Sequence, residues 1–163
     1  MTKNKLVKLD ALVKIRKRAK KEGVRVVFTN GCFDILHRGH IEYLKKAKSL
    51  GDILIVGLNS DSSVKKIKGK KRPIVHQKNR AEILSALYFV DYVCIFNQET
   101  PEKMIKKLIP DVLVKGGDWA KADIVGKDIV ESSGGKVVTI PLVKGKSTKN
   151  IIWTIVDRYC KSC

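Results

Sequence analysis

Five short apolar runs, rich in β-branched residues, alternate with segments of helical periodicity, and this alternation constrains the fold more than any other feature. The runs are VRVVFT (Val24 to Thr29), DILIVGL (Asp52 to Leu58), YVCIF (Tyr92 to Phe96), DVLVKG (Asp111 to Gly116) and KVVTIPL (Lys136 to Leu142). Each has the length and composition of a buried strand. Between them, His40 to Gly51 places Ile41, Leu44 and Lys48 at helical spacing, and Gly51 is expected to stop that helix. Asn79 to Val90 sets Ala81, Leu84, Leu87 and Tyr88 on one stripe. Thr100 is expected as an N-cap with Pro101 at the first helical position, and Ser147 or Thr148 caps a last helix that runs toward the C-terminus. Strand–helix alternation of this kind predicts βαβ units: an α/β chain with a parallel sheet and helices on both faces.

A chain of 163 residues suits one domain (1–163), with a basic N-terminal helix at about 9–22 and a short tail at about 159–163. Hydrophobic content of 44% beside 31% charged residues argues for a globular protein. No apolar run approaches the roughly 20 residues of a membrane helix. The basic N-terminus is interrupted by charges and offers no signal-peptide core, so the expected location is cytoplasmic, without membrane contact. Cys32, Cys94, Cys160 and Cys163 form neither a disulfide framework nor a paired zinc motif. The net charge of +18 suits polyanionic partners: phosphorylated small molecules, a membrane surface or nucleic acid. The cations run from Lys3 to Lys161 without interleaved aromatics, which disfavours nucleic acid.

In an open parallel sheet, ligands bind beyond the carboxyl ends of the strands. After the first run comes NGCFDILHRGH. Gly31 permits a tight turn, and Gly39 falls where the next helix begins. His37 and His40, three residues apart, share a face of that first turn, where free N–H groups favour an anion. This pattern suits phosphate rather than zinc: there is no HExxH, and His76 is the only other histidine. The glycines match neither a dinucleotide fingerprint nor a P-loop, since GKST at Gly145 to Thr148 would need a glycine at Ile140. After the second run, Asn59 to Pro73 crowds Lys65, Lys66, Lys68, Lys70, Lys71 and Arg72 into what reads as a flexible cationic loop able to close over a phosphate site. After the fourth run, paired glycines Gly116 and Gly117 are flanked by Lys115 and Asp118, and Trp119 could stack on a base or sugar.

These segments together resemble the HxGH nucleotidyltransferases, the cytidylyltransferase-like superfamily, and most closely the heptose 1-phosphate adenylyltransferases of ADP-heptose synthesis. FTNGCFDILHRGH, VGLNSD, KKIKGKKRPI, NRAEILSAL, LVKGGDW and KSTKNII fall in the family's order, from about Leu9 to Val156. The resemblance implies a Rossmann-like, doubly wound five-stranded parallel sheet, transfer of AMP from ATP to a sugar 1-phosphate with release of pyrophosphate, Mg²⁺ and a homodimer. It implies that His37, His40 and Lys68 act on the phosphates, with Lys65 beside Lys68. Gly31, Cys32 and Phe33 would present backbone to the nucleotide beside Gly39, and Asp34 would orient the site. Asn59 and Arg80 would line the pocket. Lys115, Gly116, Asp118 and Trp119 would flank nucleotide and acceptor, and Ser147 and Thr148 would form a second anion site at the last helix. Lys149 departs from the family's STT pattern. Leu142 stands where the related glycerol-phosphate cytidylyltransferases carry arginine.

Two alternatives remain. One is the same chemistry with another acceptor: glycerol 3-phosphate or ethanolamine phosphate with CTP, or FMN with ATP. The other is a basic nucleic-acid-binding protein, which steeply salt-dependent binding without nucleotide turnover would indicate.

Overall fold

A computed structural model describes residues 4–117 and 123–160. Five parallel strands form one sheet among the described residues: β1 (Val26–Gly31), β2 (Ile53–Asn59), β3 (Tyr92–Phe96), β4 (Val112–Gly116) and β5 (Lys136–Ile140). Their spatial order is β3-β2-β1-β4-β5. The chain moves outward from β1 through β2 to β3, then returns to the other side of β1. That reversal opens a crevice between the carboxyl ends of β1 and β4, the place where such sheets bind ligands.

The runs are apolar throughout because each strand is covered on both faces. Val27, Leu54, Val56, Val112 and Val114 meet Leu44 and Ala47 of α2 (Arg38–Lys48) and Ala81 and Leu84 of α4 (Gln77–Ala86). Their neighbours Val26, Phe28, Ile55 and Leu113 point the other way. They pack on Leu12 and Ala19 of α1 (Leu9–Lys21), Met104, Ile105 and Leu108 of α5 (Glu102–Leu108), and Val130 of α6 (Lys127–Ser132). Each fully buried aliphatic side chain contributes about 2 kcal/mol to stability. At the end of the sheet remote from the crevice, Arg16 makes a bidentate pair with Asp111, at 3.0 and 2.7 Å. Asp111 also accepts the Val26 N–H at 2.7 Å, which ties α1, β1 and the approach to β4 together.

Several boundaries differ from those expected. The α2 helix ends at Lys48 with Ser49 as cap, three residues before Gly51. Gly51 is needed for another reason: a Cβ there would lie 2.7 Å from Val27 and 2.9 Å from the Arg25 carbonyl. The α4 stripe holds for Ala81 and Leu84, but Leu87 lies past the helix end, and Tyr88 is 82% exposed with its ring edge-on to Phe89. Pro101, not Thr100, occupies the N-cap of α5, where its carbonyl accepts the Ile105 N–H. Strand β5 stops at Ile140 because Pro141 has no N–H to continue the ladder. The expected loop after β2 contains a helix, α3 (Asp61–Lys68), started by Ser60, whose hydroxyl accepts the Ser63 N–H at 3.2 Å. The last helix, α7 (Thr148–Tyr159), buries none of its described residues. No helix among the described residues is long and apolar enough to cross a membrane.

Candidate active site

Strand β1 ends at Gly31, and the chain turns through Phe33 in the left-handed region (φ +43°). The Phe33 ring folds back over the strand end, where a Cβ on Gly31 would lie 2.9 Å from it, so only glycine fits without displacing the ring. The turn delivers His37 to the N-cap of α2 and His40 to its first turn. The two imidazoles stack, with ring centroids 3.8 Å apart and planes at 26°, and Phe33 closes the far side of His40 at 5.3 Å. The His37 main-chain N–H donates to Nδ1 of His40 at 3.4 Å. That leaves Nε2 as the protonated nitrogen of a neutral His40, a donor available to a ligand.

Electrostatics keep the pair neutral. Burial, with the adjacent His37, pushes the His40 imidazole down to about 4. Burial and the Lys146 ammonium lower His37 as well. Nδ1 of His37 is buried and has no hydrogen-bond partner among the described residues. Gly39 lets the pair form: a Cβ there would lie 3.0 Å from the His37 ring and 3.3 Å from Cβ of Lys146.

Asp34 faces the scaffold. Its fully buried carboxylate accepts Nε of Arg72 at 2.5 Å and the amides of Ile74 and Val75 at 2.9 and 2.8 Å. Burial alone would raise its pKa; the amides of Val75 and Ile74 and the Arg72 guanidinium outweigh this and hold it below the usual carboxylate range. The far end of the lysine-rich segment is thereby clamped to the histidine turn. Lys65 and Lys68 stand exposed on the last turn of α3. Lys68 is close enough to oppose, together with Arg80 and Arg72, the rise that burial imposes on the Cys32 thiol.

Arg80 is 1% exposed, a knot rather than a pocket wall. It donates to the carbonyls of Val75 at 2.8 Å, Asn59 at 2.9 Å and Cys32, and to the Asp61 carboxylate at 2.8 Å. Asn59 is equally buried and donates to Oγ of Ser63 at 2.9 Å. On the β4 side, Lys115 donates through Nζ to Oδ1 of Asn30, tying the ends of β1 and β4 before Gly116. Ser147 caps α7 by accepting the Asn150 N–H at 3.1 Å, and the Thr148 hydroxyl donates to the Ile35 carbonyl at 3.5 Å. These bonds bring the N-terminus of α7 against the histidine turn. Asp118 and Trp119 lie outside the described residues. Sequence reasoning passed over Asn30, the clamping role of Arg72, and Lys146. No local pattern marks them, because their partners lie 85 residues (Asn30 to Lys115) and 38 residues (Asp34 to Arg72) away.

The arrangement offers two neutral donors at a helix N-terminus, flanked by lysines. Residues 28–157 match the cytidylyltransferase-like family. The chain belongs to that family. This cytidylyltransferase-like chain is 53% identical over 155 residues to the bifunctional protein HldE of Geobacter metallireducens, across 95% of this chain and 32% of the relative. It spans about a third of the length of the curated relatives it matches. Among solved structures, it is similar to a lipopolysaccharide core biosynthesis protein from Thermoplasma volcanium, at 32% identity and a TM-score of 0.62, over 76% of this chain and all of that one. A pantoate–β-alanine ligase from Francisella tularensis shares the fold at 17% identity and a TM-score of 0.62, over 93% of this chain and 78% of that one.

Proposed function

We propose that the chain transfers AMP from ATP to a heptose 1-phosphate in ADP-heptose synthesis. The observation that carries this reading is the stacked, neutral His37–His40 pair at the N-terminus of α2, in a turn where Lys68 lies near Cys32 and Lys115 holds Asn30 at the end of β1. The choice of ATP and of a heptose rests on the ordered motifs, LVKGGDW above all, and on the HldE relatives.

A phosphate monoester has a second pKa of about 6, so the acceptor is mostly dianionic at neutral pH and needs no general base. One of its oxygens attacks the α-phosphorus of ATP. A new P–O bond forms, the α–β bridge breaks, and its electron pair leaves with pyrophosphate. The protein has to hold two polyanions in line and stabilise the charge gathering on the α-phosphate oxygens. Nε2–H of His40, the α2 N-terminus and the lysines serve that end without exchanging a proton with the substrate. Asp34 and Arg80 hold the turn that presents them. Mg²⁺ would neutralise phosphate charge. Asp34 is committed to Arg72, and in this reading the ion arrives on the nucleotide. A homodimer working in the cytoplasm, with no nucleic acid as partner, completes the reading.

Pyrophosphate release should be measured with ATP, CTP, GTP and UTP against heptose 1-phosphate, glycerol 3-phosphate, ethanolamine phosphate and FMN. Release confined to ATP with the heptose phosphate supports the proposal; release with another pair moves the chain to a cousin activity. His40→Ala should fold and lose at least about a hundredfold in kcat; a fully active variant removes the histidines from the chemistry.

A further inference from the structure

We infer that the cleft at the amino ends of β1, β4 and β5, the end of the sheet remote from the histidines, binds a small phosphorylated anion. Such a site stands whether or not the chain transfers nucleotides.

The cleft encloses about 390 Å³, within the roughly 300–1,000 Å³ of small-molecule sites. Its charged lining is Arg16 and Lys20 of α1, Arg25 just before β1, Lys136 at the start of β5, and Asp111 just before β4. Arg16 is buried and takes both carboxylate oxygens of Asp111, at 3.0 and 2.7 Å. Those two charges cancel. Lys20, Arg25 and Lys136 are left, all exposed, and their side chains make no ion pair or hydrogen bond among the described residues. Asp52 reaches Arg25 but accepts its main-chain N–H, at 2.7 Å, rather than its guanidinium. The mouth is open, since a Cβ on Gly23 or Gly134 at its rim would meet nothing within 4 Å. Val24 and Val112 supply apolar wall between the cations, and a low-dielectric wall focuses a field of one sign into a cleft.

A second cleft shows what a balanced surface looks like. It encloses about 200 Å³ beside the start of β2 and β3, and its charged lining is Lys5, Arg18, Glu22 and Asp91. There Arg18 pairs with Glu22 at 3.6 Å, Asp91 with Lys48 at 2.7 Å, and Lys5 donates to the Leu87 carbonyl at 2.8 Å. Every charge is met, whereas three cations of the larger cleft are not. A phosphate group brings up to two negative charges and three acceptor oxygens to one point, which suits three convergent cations better than a single carboxylate does. The six residues of β1, about 17 Å of strand, separate this cleft from Gly31 and the histidine turn.

The test is titration of inorganic pyrophosphate, without Mg²⁺, into the ¹⁵N-labelled chain, followed by the shifts of its amide resonances. The amides of Val24, Arg25, Val112 and Lys136 should shift together and saturate. The double variant Arg25→Met with Lys136→Met should weaken binding read at Val24 and Val112 by at least about tenfold, the size of a lost charge-assisted contact, and leave any response at Gly31 to His40 unchanged. Thermal unfolding of the variant checks its fold; if it is unfolded, Lys20→Met alone should give a smaller loss at the same amides. Shifts confined to the histidine turn overturn the inference. So does a linear, unsaturated drift at exposed lysines throughout the chain, which marks a diffuse ion atmosphere. Single-stranded RNA that binds across Lys14, Lys17 and Lys21 while pyrophosphate leaves the cleft amides unmoved overturns it in favour of an extended polyanion.

Discussion

Replacing Asp34 by asparagine changes one charge in one of the two least exposed ion pairs around the site. The carboxylate has no solvent exposure and Arg72 has 19%, with three donors converging on it at 2.5 to 2.9 Å. The carboxamide of the Asp34→Asn variant could still accept an amide through its oxygen, but its NH₂ would face another donor, either the guanidinium or a main-chain N–H. Breaking a buried pair from one side costs about 3–5 kcal/mol, and the partial solvent access of Arg72 places this case near 3. With a urea m-value of roughly 2 kcal/mol/M for a domain this size, the unfolding midpoint should fall by about 1.5 M. The pH dependence carries a sign. Asp34 is held below its ordinary value, so its contribution is present above the unfolded pKa of about 3.9 and is lost as pH falls through the folded value. The gap between wild type and Asp34→Asn should therefore be full at pH 7 and narrow below about pH 4. Arg72→Met completes a double-mutant cycle, with an expected coupling above about 1 kcal/mol. A midpoint shift under about 0.3 M, or a gap that widens in acid, would refute the clamp.

Three further outcomes are expected. His40 is held at about 4 against an ordinary 6.5, so the unfolded chain binds the extra proton first; stability should fall between about pH 6.5 and 4, by up to about 3 kcal/mol, and His40→Gln should flatten that slope in pH-dependent denaturation. Gly39→Ala improves helix propensity by up to about 1 kcal/mol yet crowds the His37 ring at 3.0 Å, so melting should hold or rise while kcat/KM drops at least about tenfold; unchanged turnover would show that ring placement is not critical. Arg80→Met strips donors from three carbonyls and leaves Asp61 without its guanidinium, so urea unfolding should show a loss of about 3 kcal/mol or more, against a loss near zero if the residue merely lined an open pocket.

The strands were legible because residues covered on both faces must be apolar at every position, and a run such as ILIV at Ile53 to Val56 admits few other uses. Helix α3 was not. It turns only Ser63 and Val64 into the core, so no apolar stripe betrays it beneath its lysines. Tyr88 was misplaced because a helical stripe can be continued on paper past the point where the chain leaves the helix at Leu87. In the site, the spacing of His37 and His40 suffices to put both on one turn, since three residues along a helix share a face. The inward commitment of Asp34 and Arg80 depends on partners that meet them only through the tertiary fold. A polar residue in a ligand-binding motif reads the same whether it touches the ligand or holds the loop that does.

The return crossing of the sheet also orders the site in time. A chain that has assembled only β1, β2 and β3 already holds both histidines and Lys68. Lys115 is 85 residues beyond Asn30, and Thr148 is 113 residues beyond Ile35, so the β4 wall and the α7 end join by the longest loop closures around the crevice. Loop-closure entropy therefore weighs most on the junction between the histidine turn and the β4–α7 side, and any ligand bound across that junction would offset the cost.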